Sequence, residues 1–262
     1  MNASRWRKAV AALLFCLAGA VSAGGFSESG RSERIAVFPA AETAAFAQKV
    51  ERTLAEEDVQ VALLARMGRP LSAMPEGMRY THVGFVVRTD YAGSTSYKIY
   101  NLYQRPGRPD VSELVTDTPA EFFAKVAQVE TGILIPTPAL QQRLRKTIAS
   151  PAYAAMHDPH YSLIASPYTR GRQNCTEFVL DVINSTLFHT IDEDTLKSIA
   201  KASFVAEPVR VNPFRLLLGA LFNDEVSLSD HRGEKPVTAT FDNLVRYLQQ
   251  QDPGSRTLTV QP

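Results

Sequence analysis

Cysteine and tryptophan are scarce in this sequence, which holds 2 Cys and 1 Trp among 262 residues. Two cysteines exclude a disulfide-rich scaffold and a four-cysteine zinc site. An excess of charge of one sign is lacking as well, since 28 Lys+Arg face 27 Asp+Glu. Phosphate recognition shows as a strongly basic domain or stripe, so no nucleic-acid partner is expected. No stretch reaches about 20 unbroken apolar residues, so no transmembrane span is expected in the mature chain. What is present, 45% hydrophobic residues over this length, suits a folded chain with a well-buried core.

The amino terminus changes what the cysteine count means. Arg5, Arg7 and Lys8 precede an apolar run over 9–20 and then Val21-Ser22-Ala23, the order of a basic region, an apolar region and a small-residue cleavage site. The expectation is a signal peptide over 1–23, with a periplasmic or secreted protein after cleavage near Ala23. Bulky Phe15 before Cys16 argues against lipidation there. Cleavage removes Cys16, Trp6 and three positive charges, which turns the near-neutral balance slightly acidic. One cysteine remains, Cys175. In an oxidising compartment a thiol without a partner is either buried and inert or kept for its chemistry.

Residues 24–34, polar and rich in Gly and Ser, read as a flexible leader, and 35–262 as a single α+β domain. Phe46, Val50 and Leu54 at helical spacing predict a helix over 40–58, and 59–65 reads as a strand. Two β-rich runs, 80–88 and 96–104, flank a Gly-containing connector and predict a hairpin, with a loop over 105–110 ending it. Thr118-Pro119-Ala120-Glu121 has capping-box spacing and Thr137-Pro138 a similar start, so each predicts a helix. A loop over 150–173 encloses an apolar run, 161–165, of strand character. Helices are expected over 174–187, 192–201 and 241–251, and a buried apolar segment over 216–222.

Two short motifs carry chemistry: Thr81-His82-Val83-Gly84 on the first hairpin strand, and Gln173-Asn174-Cys175-Thr176-Glu177-Phe178 where a loop enters a helix. A thiol at a helix start feels unpaired N–H groups and the positive end of the macrodipole, which favour thiolate. A nucleophilic cysteine also needs a base within reach, held in one tautomer by a third polar group. His82 on a strand, with Gly84 permitting close approach, suits the base. If His82 faces Asn101 or Tyr103, both lie on its face of the hairpin and Asn101 orients the ring. A register slipped by one residue would present Gln104 or Tyr100 instead.

His-Val-Gly on a strand followed much later by Asn-Cys-x-x-Phe at a helix start resembles the circularly permuted papain-like fold of the lecithin:retinol acyltransferase group and the NlpC-type cell-wall peptidases. In that order histidine precedes cysteine. The segments Tyr100-Asn101-Leu102-Tyr103-Gln104-Arg105-Pro106-Gly107-Arg108-Pro109 and Gln173-Asn174-Cys175-Thr176-Glu177 also look like those of an exported bacterial family known only as a domain of unknown function. The resemblance implies a small antiparallel sheet packed with helices, Cys175 as nucleophile, His82 as base and then acid, and Asn101 as orienting residue. The Cys175 backbone N–H, with Gln173 or Asn174, would stabilise the oxyanion. It implies a thiol hydrolase or acyltransferase acting on an amide, peptide or ester, with a cell-wall peptide or acyl lipid as substrate and no cofactor. The alternative is a non-catalytic exported binding protein with a buried cysteine.

Other motifs read as structural. His157-Asp158-Pro159-His160 lacks a third obvious ligand, so no metal is expected. Ser229-Asp230-His231 holds hydrolase residue types, but sequence neighbours rarely form a triad, and turn chemistry suffices. His189 suits a helix end. Glu177, near the thiol, should point away from the sulfur.

Overall fold

The computed structural model describes residues 36–210, apart from positions 75 and 92, and residues 226–262. The leader readings over 1–34, Cys16 and Trp6 among them, and the apolar run 216–222 lie outside the described residues.

Helix α1 (Ala40–Glu56) leads into strand β1 (Val61–Met67). β2 (His82–Tyr91), β3 (Ser94–Arg105) and β4 (Arg108–Asp117) follow as a meander, then the short helix α2 (Pro119–Phe123) and strand β5 (Gln128–Ile135). Next come helices α3 (Pro138–Ile148), α4 (Pro151–Ala155), α5 (Cys175–Phe188) and α6 (Glu193–Ser203). A two-residue ribbon of β6 (Glu207–Pro208) and β7 (Val237–Thr238), helix α7 (Phe241–Gln251) and strand β8 (Arg256–Val260) complete the described chain.

The main sheet has six strands in the order β4-β3-β2-β1-β5-β8, every neighbouring pair antiparallel. The protein is therefore α+β. β1 is buried along its whole length, as its run Val-Ala-Leu-Leu-Ala-Arg-Met requires, because a strand apolar on both faces needs cover on both. Ala62 and Leu64 pack with Val86 and Ile99 against Phe46, Val50 and Leu54 of α1 and Phe122 and Phe123 of α2. Val61, Leu63 and Ala65 pack with Val83 and Phe85 on the other face, against Leu140 and Leu144 of α3, Phe178 and Val182 of α5 and Leu244 of α7. Among the described residues no helix is long and apolar enough to cross a membrane.

The helix signals act as their chemistry requires. Thr118 and Glu121 form the reciprocal capping box of α2, Thr137 caps α3, and Asp192 caps α6 through the Thr195 amide. Three strands depart from the sequence reading. The loop expected over 105–110 is only a turn at Pro106 and Gly107, with Gly107 at φ 71°, and β4 begins at Arg108. Pro109 is tolerated because β4 is an edge strand, where a missing N–H breaks no ladder. β5, buried on both faces from Val129 to Ile135 and so without alternation, and the five-residue β8 were not read as strands. The expected strand over 161–165 reduces to isolated bridges, Tyr161 with Gln173 and His160 with Val111. Those bridges bring the chain just before α5 alongside β4.

α5 lies across β2 and β3, anchored by Phe178, whose ring meets Tyr153 edge-on at 5.0 Å. Truncating it opens a cavity under the helix that carries Cys175. Phe178→Ala is expected to cost about 3–5 kcal/mol, read in urea unfolding as a lower midpoint at unchanged slope.

Candidate active site

β2 is paired on both sides over only part of its length. Its ladder with β1 runs to Arg66↔His82, whereas its ladder with β3 stops at Phe85↔Tyr100. Continued past that stop, the register sets His82 opposite Tyr103, so His82, Asn101 and Tyr103 share a face. Gln104 and Tyr100 have the other parity. Gln104 donates to the Pro109 carbonyl at 2.7 Å, and Tyr100 meets Tyr153 edge-on at 6.0 Å.

The His82 ring is fully buried. It stacks on Tyr103 at 4.6 Å between centroids with planes 12° apart, and meets Phe122 at 5.7 Å. Its Nε2 lies 3.0 Å from Asn101 Oδ1. The Asn101 Nδ2 donates to the Ile99 carbonyl at 3.0 Å and to Asp117 Oδ2 at 3.2 Å. An amide whose nitrogen has two acceptors must turn its oxygen to the histidine, so the imidazole donates from Nε2 and keeps its lone pair on Nδ1. That Nδ1 is buried without a hydrogen-bond partner. Gly84 makes room for the arrangement, because a Cβ there would collide with Asn101 Oδ1.

Cys175 is the first residue of α5, and the Asn174 side chain caps the helix. Asn174 Oδ1 accepts from the Thr176 and Glu177 amides at 3.1 and 2.9 Å, and Nδ2 donates to the Leu163 carbonyl and to Thr238 Oγ1, both at 3.1 Å. Gln173 donates to the Met156 carbonyl and to Asp181, and accepts from the Asp158 amide. Both amide side chains are thus fully engaged in positioning the helix start, and neither offers a spare N–H to an oxyanion. The Cys175 sulfur accepts a hydrogen bond from the Val83 amide, next in sequence to His82, and lies 3.7 Å from Thr176 Oγ1. Thiol and imidazole are not hydrogen-bonded to one another.

A family model described as an uncharacterized protein conserved in bacteria, DUF2145, matches residues 53–248. The chain belongs to that family. Its matched span contains His82, Asn101, Asp117 and Cys175. No curated protein and no solved structure matches the chain.

In this DUF2145 chain, burial sets the electrostatics. It pushes the Cys175 thiol up, against the Val83 amide, the Thr176 hydroxyl and the Arg66 guanidinium, all of which favour thiolate. The helix start alone therefore does not produce a resting thiolate, contrary to the expectation from the macrodipole. Burial and Arg66 together hold His82 well below the ordinary histidine range, with Asn101 opposing them. The resting pair is a neutral thiol and a neutral imidazole.

Arg66 and Asp117 were not singled out by the sequence reading. Arg66 pairs with His82 across the ladder, and its guanidinium lies over the Phe122 and Tyr103 rings at 5.2 and 5.8 Å from their centroids. A charged residue ending the apolar run of β1 is the only signal that could have pointed to it. Behind α5, Glu177 is held by Lys197 Nζ at 2.6 Å, which also binds Asp181 at 2.8 Å. Burial raises the Glu177 carboxyl well above the usual range despite that lysine.

The remaining histidines have structural partners. His157 pairs with Ser112 at 2.8 Å, His160 with Asp158 at 2.7 Å, and His231 donates to the Ile164 carbonyl at 2.9 Å. His189 closes α5 in the left-handed region. Among the described residues no group of three or more His, Cys, Asp or Glu is arranged to hold a metal ion.

Two substitutions test this construction. Gly84→Ala forces Asn101 away from His82 and is expected to cost about 1–3 kcal/mol by overpacking, seen as a lower unfolding midpoint. Lys197→Met leaves two buried carboxylates without their cation and is expected to cost about 3–5 kcal/mol, measured in the same way at neutral pH.

Proposed function

We propose that this protein is a thiol hydrolase or acyltransferase acting on an amide, peptide or ester, with Cys175 as nucleophile and His82 as general base and then general acid. The observation that carries the reading is the His82 tautomer. Asn101 Oδ1 accepts the hydrogen bond from Nε2–H, and the lone pair on Nδ1 is left buried and unpartnered, while the neighbouring Val83 amide is bonded to the Cys175 sulfur. We assign that nitrogen as the acceptor of the thiol proton.

In this mechanism Nδ1 takes the Cys175 proton as Sγ bonds to the carbonyl carbon. The imidazolium then protonates the departing amine or alcohol, and a thioester remains on Cys175. Water, or another acceptor, gives a proton back to Nδ1 as its oxygen attacks the thioester, which releases the acyl group and restores the thiol. The Asn174 cap takes the amides of Thr176 and Glu177 and not that of Cys175, so the first N–H of α5 is the donor we assign to the oxyanion. The base-bearing strand precedes the nucleophile-bearing helix, the chain order of the permuted papain-like enzymes. The basic and apolar order of residues 5–23 supports a substrate in the cell envelope. The competing reading, a non-catalytic protein with an inert cysteine, draws on the burial of Cys175, which is 4% exposed.

Alkylation of Cys175 by iodoacetamide across pH separates the two. Because the His82 pKa is lowered, the imidazole is neutral and able to take the thiol proton at pH 6. Alkylation is therefore expected to proceed at pH 6 to 7 and to fall about 100-fold in His82→Ala. The residual reaction should rise tenfold per pH unit, because the thiol then ionises unaided and its pKa is raised. Equal rates with and without His82 would refute the assignment.

A further inference from the structure

The Asp117 carboxylate closes a network that the sequence motifs do not contain. Asp117 ends β4 and is 3% exposed. It stands directly before Thr118, whose capping box with Glu121 fixes the start of α2. One of its oxygens, Oδ2, accepts from Asn101 Nδ2 at 3.2 Å and from Tyr103 Oη at 2.6 Å. These are the two residues that define His82: Asn101 Oδ1 accepts the hydrogen bond from its Nε2–H and Tyr103 stacks on its ring.

We infer that Asp117 is a positioning residue of this site, clamping Asn101 and Tyr103 with one carboxylate and thereby fixing the tautomer and plane of His82. The clamp rests on the reading of Cys175 and His82 as nucleophile and base. Its physical basis has two parts. An amide whose N–H points at a carboxylate cannot easily flip, so Oδ1 stays turned to the imidazole. The negative charge, carried through the polarised amide, also favours the imidazolium that forms when Nδ1 takes a proton. Burial raises the Tyr103 phenol, so it remains a donor to Asp117 at any working pH. Arg66, over the Tyr103 ring, is the cation that opposes imidazolium formation on this face.

The test uses the full chain and two variants. Asp117→Ala removes the acceptor, and Asp117→Asn keeps an acceptor oxygen without the charge. Nitrogen-15 spectra of the His82 imidazole read the tautomer directly, whatever the protein's activity. The wild type is expected to show the proton on Nε2, Asp117→Ala a mixture of tautomers, and Asp117→Asn the wild-type tautomer again. Iodoacetamide alkylation at pH 6 is expected to fall about tenfold in Asp117→Asn, the equivalent of one pKa unit lost from the imidazolium. An unchanged tautomer in Asp117→Ala overturns the clamp. If that variant does not fold, a wild-type alkylation rate in Asp117→Asn overturns it. Alkylation indifferent to His82→Ala instead marks failure of the underlying reading, and the spectra then still report whether Asp117 sets the tautomer.

Discussion

The hydrogen bond from His82 Nε2 to Asn101 Oδ1 is the contact on which the rest of the site depends. It decides which nitrogen carries the proton, and so which one keeps the lone pair. Several features of the fold exist to permit it. The β2–β3 register puts both side chains on one face, and Gly84 clears the space the Asn101 oxygen occupies. The end of pairing beyond Phe85 leaves the Val83 amide to meet the Cys175 sulfur instead of another strand. None of these is expensive alone, but each would be pointless without the others.

Burial works against ionisation throughout this region. It raises the thiol, lowers the imidazole and raises the carboxyl of Glu177 behind the same helix. A preformed thiolate–imidazolium pair is therefore not the resting state. The chemistry we propose moves one proton from a neutral thiol to a neutral base, with charge developing only when the carbonyl carbon is attacked. A low-dielectric site strengthens the few dipoles and charges that remain, among them the Val83 amide and Arg66, and in that setting preorganised donors count for most.

The legible parts of the sequence were those where one residue type has one structural use. Asn174 before a helical run reads as a cap, and it is one. Thr118 with Glu121 reads as a capping box, and the hairpin's alternation offered Asn101 as one of the two sets of residues that could face His82, the β2–β3 register choosing it. What was hidden depends on distant segments meeting. Asp117 joins the site only because β4 is paired with β3, and β4 itself was masked by Pro109, a residue that an edge strand tolerates. The family resemblance implied Asn174 or Gln173 as an oxyanion donor, but their amides are engaged by Leu163, Thr238, Met156 and Asp181, partners no local pattern announces. The net effect of burial on the Cys175 thiol was equally invisible, because a helix start signals thiolate only where the site stays wet.

The central claim is that Cys175 accepts an acyl group with His82 as its base. Its most direct measurement is rapid mixing with p-nitrophenyl acetate followed by intact and peptide mass spectrometry. The account predicts a burst of nitrophenolate matching the protein concentration and an acetyl thioester on Cys175, both absent in Cys175→Ala and strongly slowed in His82→Ala. No acetylation at Cys175, or acetylation at the same rate without His82, would contradict it.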